Sequence, residues 1–148
     1  MEKFKMPGVG IGVMVLDSEG KVLLILRNSN PDLAKSDMHL EGTWTLPAGK
    51  VGYGKTIIDA AKRKVKEEVN LTIENVKVIS VSDDINQYNH FLTIGLLADS
   101  YKGIIDLGKT LEHVDYRFCD LDDLPDKLCE PSKIIINNYK NNRMYKGE

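Results

Sequence analysis

The sequence predicts an α/β fold in which helices pack on a mixed β-sheet. Three observations predict it: an amphipathic helical pattern over Ile57–Val69, aliphatic strand-like runs on both sides of that helix, and a second helical pattern near the C-terminus. The order of two or three strands, a helix, three strands and a helix supports an α/β sandwich. A length of 148 residues with 42% hydrophobic content suits a single domain over residues 1–148.

The predicted elements before the helix are short strands separated by turns. Residues 9–16 form a glycine-punctuated aliphatic run, and residues 21–27 are predicted to be its hairpin partner. Residues 28–42 are polar and irregular, so we predict a mobile loop there. Residues 43–46 are predicted to form a short strand that leads into the turn Pro47-Ala48-Gly49.

The central helix has start and stop signals as well as an apolar side. Thr56 is a suitable N-cap with Asp59 three residues later, and Asn70 is a suitable left-handed C-terminal residue. The apolar side is predicted to lie on the core and consists of Ile57, Ile58, Ala61, Val65 and Val69. On the polar side, Arg63 precedes Glu67 by four residues and Lys64 precedes Glu68 by four, so each pair shares a face. Taken alone, this pattern is also typical of an ordinary surface helix with ion pairs.

Further strands and a final helix follow. Residues 71–83 and 91–101 are predicted to be strands joined by the polar segment 84–90, and residues 110–121 a less regular strand. Ser132 is predicted to cap a last helix that contains Ile134, Ile135, Ile136 and Tyr139.

Composition narrows the functional classes. A net charge of −2 and a pI near 5.9 give no basic surface for duplex nucleic acid. No apolar run reaches the length of a membrane span, and the N-terminus lacks the layout of a signal peptide. Cys119 and Cys129 are too few for a disulfide framework and are predicted to be reduced thiols, which favours a cytoplasmic location.

The segment from Gly49 to Leu71, GKVGYGKTIIDAAKRKVKEEVNL, resembles the Nudix box. That motif is Gly, five residues, Glu, seven residues, Arg-Glu, an aliphatic residue, any residue, Glu-Glu, any residue, Gly and an aliphatic residue. The positions in register are Gly49, Arg63, Val65, Glu67, Glu68 and Leu71. Three positions depart from the pattern, because Lys55 and Lys64 replace glutamates and Asn70 replaces the closing glycine.

The resemblance extends over most of the chain. The segments GVGIGVMVL, GTWTLPAG, SVSDD, HFLTIG and LDDLP are similar to the nucleoside-triphosphate branch of the Nudix family, the MutT-like enzymes. The resemblance implies the Nudix fold, a mixed β-sheet in an α/β/α sandwich. It also implies that the partner is a small nucleotide, that Mg²⁺ or Mn²⁺ is the cofactor, and that the protein cleaves a pyrophosphate linkage. Members of this branch often form homodimers.

The resemblance also implies site residues. Glu67 and Glu68 would bind the metal together with the carbonyl of Gly49, Arg63 would orient a glutamate, and Arg27 would contact phosphate. The positions implied to contact the nucleobase are Thr45, Leu46, Thr93 and Phe118. For Arg27 the alternative is an exposed charge at a strand end, and for the four base-contacting positions it is simple strand packing.

Lys55 and Lys64 place normal catalysis in question. Together with Glu67 and Glu68 they give these four positions a formal charge of zero, against four negative charges in the family pattern. An ammonium near Mg²⁺ lowers metal affinity through Coulomb repulsion.

Three compensations are open. A loop carboxylate, Glu112 or Asp115, would supply a base; Lys64 itself would act as a base; or the lysines would bind phosphates directly. The sequence therefore predicts a Nudix hydrolase with a weakened site, and the alternative is a catalytically impaired nucleotide-binding or sensing module. A domain that binds a protein partner is a third hypothesis. His39 and His90 could bind a ligand, but exposed loop histidines are the favoured interpretation, and His113 is similarly uninformative.

Overall fold

The computed structural model describes residues 5–35 and 39–146. It contains nine strands and two helices within these ranges. The strands are β1 (Gly8–Val15), β2 (Val22–Arg27), β3 (Trp44–Thr45), β4 (Ala48–Lys50), β5 (Thr72–Ile73), β6 (Lys77–Ile85), β7 (His90–Ala98), β8 (Tyr101–Lys102) and β9 (His113–Cys119). The helices are α1 (Ile57–Val69) and α2 (Glu130–Lys140).

Two sheets form the centre of the fold. The larger has the order β4-β1-β7-β6, and β1 runs parallel to β7 while the other pairs are antiparallel. The smaller sheet, β3-β2-β9, is antiparallel, and β5 and β8 form a separate two-stranded ribbon. The predicted α/β fold with a mixed sheet is confirmed.

The two helices cover different apolar clusters. Alternate residues of a strand point to opposite sides, so Leu23 and Ile25 of β2 join the cluster under α1, whereas Val22 and Leu24 join the cluster under α2. From α1 the first cluster receives Ala60, Ala61, Val65 and Val69, and from α2 the second receives Ile135 and Ile136. Neither helix in the described ranges is long and apolar enough to span a bilayer.

The central helix has the predicted bounds. Oγ1 of Thr56 accepts a hydrogen bond from the N–H of Asp59 at 3.1 Å, and Asn70 adopts a left-handed conformation with φ of 63°. These two contacts fix where the helix begins and ends, and they place its last turn beside β4.

The predicted hairpin of residues 9–16 with residues 21–27 is wrong. Both edges of β1 are occupied, by β4 on one side and β7 on the other, so the chain crosses to the smaller sheet after the turn at residues 17–20. Only an isolated bridge between Leu16 and Val22 joins the two segments.

Other boundaries also differ from prediction. The predicted strands 71–83 and 91–101 are each interrupted, and their ends pair with one another as β5 and β8. In the loop predicted for residues 28–42, the described parts contain neither helix nor strand, and residues 36–38 lie outside the described ranges.

Ser132 is not the cap of the last helix. Helix α2 begins two residues earlier, at Glu130, and its N-cap is Cys129. The buried Ser132 hydroxyl instead accepts a hydrogen bond from the N–H of Leu46 at 2.9 Å, so it ties α2 to the segment between β3 and β4.

A pair of glycines lets α2 approach the larger sheet. Gly12 of β1 and Gly95 of β7 are neighbours in the parallel register, and Ile135 lies over both. A Cβ atom on Gly12 would lie 2.8 Å from Cδ1 of Ile135, whereas one on Gly95 would lie 2.8 Å from Cγ2 of Ile135 and from Cβ of Ser80.

We predict that Gly12→Ala and Gly95→Ala each destabilise the protein by roughly 1–3 kcal/mol, because each added methyl group overpacks this contact. Ile135→Val removes Cδ1 but keeps Cγ2. It should therefore reduce the destabilisation caused by Gly12→Ala but not the destabilisation caused by Gly95→Ala. Urea denaturation of the single and double variants measures both coupling energies. Equal coupling for the two glycines would contradict this account of the packing.

Candidate functional site

A cavity of about 870 Å³ opens between the two sheets at the C-terminal end of α1. Its wall is formed by β1, the end of β2, the β3–β4 segment, the polar side of α1, the first residues of β7 and the start of β9. Strand ends and a helix end meet here, so polar side chains from distant parts of the chain are brought to one place.

Glu68 is the buried carboxyl group of this cavity. Only 11% of its side chain is exposed, and its Oε1 accepts a hydrogen bond from the N–H of Ala48 at 2.9 Å. Burial raises the pKa of Glu68 from 4.5 to about 8, and the nearby Glu112 carboxylate adds to the rise. The Ala48 hydrogen bond and the positive charges of Lys64 and Arg27 oppose it. Without a bound cation, Glu68 is therefore mainly protonated at neutral pH.

His113 lies beside Glu68 and is also buried. Its Nε2 is 3.8 Å from Oε2 of Glu68 and has no hydrogen-bond partner, and 3% of the side chain is exposed. Burial lowers the pKa of His113 to about 4, with the positive charges of Arg27 and Lys64 as smaller causes. The imidazole is therefore neutral at pH 7, and the contact with Glu68 is not an ion pair.

Glu112 completes a cluster of three possible metal ligands. One ligand atom from each of Glu68, Glu112 and His113 lies within 4.8 Å of the others. Two carboxylates and a neutral imidazole nitrogen are donors that divalent cations accept in proteins. The residues present therefore fit a divalent metal.

Comparison with known proteins identifies the family. A model of the NUDIX domain matches residues 6–139. The chain belongs to the Nudix family. An ADP-ribose pyrophosphatase of Methanocaldococcus jannaschii is 30% identical over 84% of this chain and 69% of its own length. The chain spans less than half of other curated relatives, such as the NAD-capped RNA hydrolase NudC of Edwardsiella ictaluri, which is 32% identical over 70% of this chain and 40% of its own length.

Solved structures agree with this assignment. A MutT Nudix hydrolase from Burkholderia pseudomallei superposes with a TM-score of 0.79 at 27% identity, over 90% of this chain and 98% of its own. A MutT protein from Methanosarcina mazei Go1 gives a TM-score of 0.80 at 18% identity, over 95% and 97% of the two chains. Together the relatives support the predicted pyrophosphohydrolase class of enzyme, and Nudix hydrolases generally use divalent metals.

The Nudix helix carries ion pairs that differ from those predicted. Lys64 Nζ lies 3.4 Å from Oε2 of Glu67, three residues on rather than four. Arg63 donates to the carbonyl of Lys50 at 3.2 Å and, among the described residues, makes no ion pair with Glu67 or Glu68. This contact ties α1 to the last residue of β4, and the predicted orientation of a glutamate by Arg63 stays a prediction.

Lys64 occupies the space above Gly49. A Cβ atom on Gly49 would overlap Cδ and Cε of Lys64, so the lysine stem lies directly against this glycine and would have to move if the residue were larger. Lys64 lines the cavity, whereas Lys55 is not among the cavity-lining residues. Of the two lysines that replace Nudix glutamates, Lys64 is thus the one that changes the charge inside the cavity.

Glu67 lies apart from the cluster of Glu68, Glu112 and His113. Its side chain is 51% exposed and engaged by Lys64, and it is absent from the cavity wall. Of the predicted metal ligands Gly49, Glu67 and Glu68, the structure places Gly49 and Glu68 in the cavity wall and Glu67 outside it, and it brings Glu68 together with Glu112 and His113.

Arg27 lines the cavity but is not a free phosphate ligand. Its Nη2 donates to the carbonyls of Ala34 and Lys35 at 2.8 and 3.0 Å, and its Nη1 lies 3.5 Å from Oε1 of Glu112. The alternative of an exposed charge at a strand end is wrong, because Arg27 is 9% exposed, whereas its predicted contact with phosphate stays a prediction. Arg27 links the described part of the 28–42 loop to the acidic cluster.

The predicted base-contacting residues separate into two groups. Thr45, Leu46 and Thr93 are buried and line the cavity. Phe118 does not line it, because its ring stacks on Tyr101 at a centroid distance of 5.8 Å and packs against the α1 cluster. Of the two predicted loop bases, Glu112 lies at the cavity, whereas Asp115 is exposed and accepts from the N–H of Tyr116.

His113 is the site residue that sequence reasoning missed. It lies in the predicted strand 110–121 but carries no signal in the sequence, and the structure shows it as the buried first residue of β9. No signal in the sequence pointed to it, because adjacent residues along a strand normally face opposite sides, so its position after Glu112 did not predict a shared cavity.

The raised pKa of Glu68 predicts a pH-dependent stability in protein freed of metal with EDTA. The folded state holds a proton that the unfolded state releases above pH 4.5, so this contribution is complete below pH 4.5 and is lost as pH rises through about 8. Glu68→Gln should therefore gain stability relative to the wild type over this interval, by a few kcal/mol in order of magnitude.

Urea denaturation at several pH values measures this gain. The matched control is Glu67→Gln, one residue earlier on the same helix, where the side chain is half exposed. Parallel pH profiles for the wild type and Glu68→Gln would show that Glu68 carries no such proton.

Proposed function

We propose that this Nudix protein hydrolyses a pyrophosphate linkage in a nucleoside diphosphate derivative of the ADP-ribose kind, with a divalent cation. The observation that carries the proposal is the buried carboxyl group of Glu68, next to Glu112, inside a cavity of about 870 Å³. That volume is within the range of about 300–1,000 Å³ typical of small-molecule sites. The identity of 30% with an ADP-ribose pyrophosphatase over 84% of this chain supports the substrate class.

Glu68 and Glu112 are the proposed acidic residues of the reaction. When bound, the divalent cation screens the phosphate charge and polarises the phosphorus–oxygen bond for attack by water. Glu68 is held near the cluster by the N–H of Ala48, and it would release its proton on binding the cation. Glu112 is the more exposed of the two, at 39%, and is the proposed loop base.

The remaining cavity residues are proposed to bind the substrate. Arg27 and Lys64 supply positive charge near the diphosphate, although Arg27 acts from a fixed position. Thr45, Leu46 and Thr93 form a buried wall for the nucleoside, where the neighbouring ring of Phe91 adds apolar surface.

Assays of a substrate panel test this proposal. ADP-ribose, other nucleoside diphosphate sugars and nucleoside triphosphates should be assayed with Mg²⁺ and with Mn²⁺. We expect cleavage of ADP-ribose-type substrates. Cleavage confined to triphosphates would move the substrate to the MutT class, and no cleavage of any member would contradict the hydrolase proposal.

We predict that Glu68→Gln lowers kcat/KM at least 100-fold, because general acid–base groups and metal ligands contribute about 10²–10⁴-fold. Glu67→Gln is the matched control and should lower it less than tenfold, since Glu67 is half exposed and lies outside the cavity wall. Equal losses in the two variants would place Glu67 in the reacting group as well.

Lys64 favours a second candidate function, a nucleotide-binding module with little turnover. Its ammonium reaches the cavity at the Nudix position where an acidic residue is expected, and it repels a metal and attracts phosphate. The two candidate functions predict different effects when the positive charge of Lys64 is removed.

For the hydrolase, Lys64→Glu should raise kcat/KM and strengthen Mg²⁺ dependence, because a cation is replaced by a carboxylate. For the binding module, the wild type is inactive and Lys64→Ala weakens nucleotide affinity. Steady-state kinetics and isothermal titration calorimetry with ADP-ribose on both variants separate the two. Lys55→Glu is the matched control, since Lys55 is not among the residues that line the cavity.

A further inference from the structure

The cluster of Glu68, Glu112 and His113 contains a nitrogen with no partner. Nε2 of His113 makes no hydrogen bond, although its side chain is only 3% exposed. The distance of 3.8 Å to Oε2 of Glu68 is too long for a direct hydrogen bond. A buried polar atom left unpaired destabilises the fold, so this nitrogen calls for a ligand between the two side chains.

Neighbouring cations do not fill this role. Nη2 of Arg27 donates to the carbonyls of Ala34 and Lys35, and Nζ of Lys64 lies beside Glu67. Nη1 of Arg27 also lies 3.5 Å from Oε1 of Glu112, so Arg27 contacts the cluster through this carboxyl group, but among the described residues neither cation is hydrogen-bonded to Nε2 of His113. What remains around the nitrogen is a pair of carboxyl groups, which is the surrounding expected of a metal ion.

The spacing of the cluster is close to that of a coordination shell. Its three ligand atoms lie within 4.8 Å of one another. Ligands at about 2.1 Å from a central ion lie up to about 4.2 Å apart, so small side-chain rotations bring all three atoms onto one ion. Two carboxylates alone would suit Mg²⁺ as well as they suit a transition metal. The imidazole nitrogen is the ligand that distinguishes this site.

The charges around the cluster also bear on the choice of metal. The carboxyl groups of Glu68 and Glu112 are balanced by the cations of Arg27 and Lys64, so net electrostatic attraction for a hard cation is low. Mg²⁺ takes oxygen ligands and gives up its water reluctantly, whereas Mn²⁺, Fe²⁺ and Zn²⁺ accept imidazole. A neutral nitrogen donor therefore favours a transition metal here.

We infer that Glu68, Glu112 and His113 form a mixed nitrogen–oxygen site that binds a divalent transition metal in preference to Mg²⁺, with His113 Nε2 as a direct ligand. The site differs from the Gly49, Glu67 and Glu68 set implied by the Nudix box, because Lys64 engages Glu67. The inference concerns metal binding alone and does not depend on the hydrolysis of any substrate.

Metal binding by the full chain, freed of metal with EDTA, tests the inference. Mn²⁺ is the probe, since its bound form can be followed by calorimetry and by pulsed electron paramagnetic resonance. We expect Mn²⁺ to bind at least tenfold more tightly than Mg²⁺ and to show coupling to a ¹⁴N nucleus. In protein labelled with ¹⁵N-histidine, the ¹⁴N coupling should be replaced by a ¹⁵N coupling.

Variants assign the nitrogen to one histidine. His113→Gln should abolish the nitrogen coupling and weaken Mn²⁺ binding at least tenfold, with little effect on Mg²⁺. His39→Asn is the matched control, because His39 also lines the cavity and asparagine tolerates its φ of 57°. This control should behave as the wild type does.

Several results would overturn the inference: equal affinity for Mn²⁺ and Mg²⁺, bound Mn²⁺ without nitrogen coupling, or coupling that survives His113→Gln. The ¹⁵N-labelled wild type keeps the test decisive if His113→Gln does not fold, since absence of a histidine coupling is sufficient to reject a histidine ligand. Nitrogen coupling in a protein that cleaves nothing would reject the proposed hydrolysis and retain the metal site.

Discussion

The hydrogen bond from the N–H of Ala48 to Glu68 is the contact on which the site depends. It joins the last turn of α1 to β4, and it holds a carboxyl group where little water reaches it. Burial of this group raises its pKa to about 8 and costs free energy at neutral pH. A cation bound at Glu68, as proposed, would offset this cost.

The rest of the cavity is arranged around this carboxyl group by the two sheets. The smaller sheet brings Arg27 at the end of β2 next to the start of β9, where Glu112 and His113 lie. The β3–β4 segment provides Ala48 and is fastened to α2 through the hydroxyl of Ser132. Helix α2 therefore supports the site from the opposite side of the fold without contributing a carboxylate to it.

Local signals predicted the elements that depend on local chemistry. Helix α1 has the predicted bounds because Thr56, Asn70 and the apolar spacing are all encoded within one short segment. The pairing of β1 and β2 was predicted wrongly, because the turn between the two strands by itself suggests a hairpin. The two edges of β1 are occupied by β4 and β7, and both of these strands lie far from β1 in the sequence.

The composition of the site also depends on contacts between segments that are far apart in the chain. The Nudix box pointed to Glu68, but the motif contains no information on what meets it in space. Glu67 was expected to share its role, and the structure shows it turned toward Lys64 on the exposed side. Glu112 and His113 lie at the start of β9, more than forty residues later in the chain, so only the tertiary fold reveals the cluster.

Lys64 lies at the rim of the cavity, over Gly49, and belongs to neither apolar cluster. A change of charge at residue 64 therefore needs no repacking of the core, and a single nucleotide converts a lysine codon into a glutamate codon. The charge of this cavity can therefore change in evolution by a single nucleotide, independently of the residues that hold the fold together.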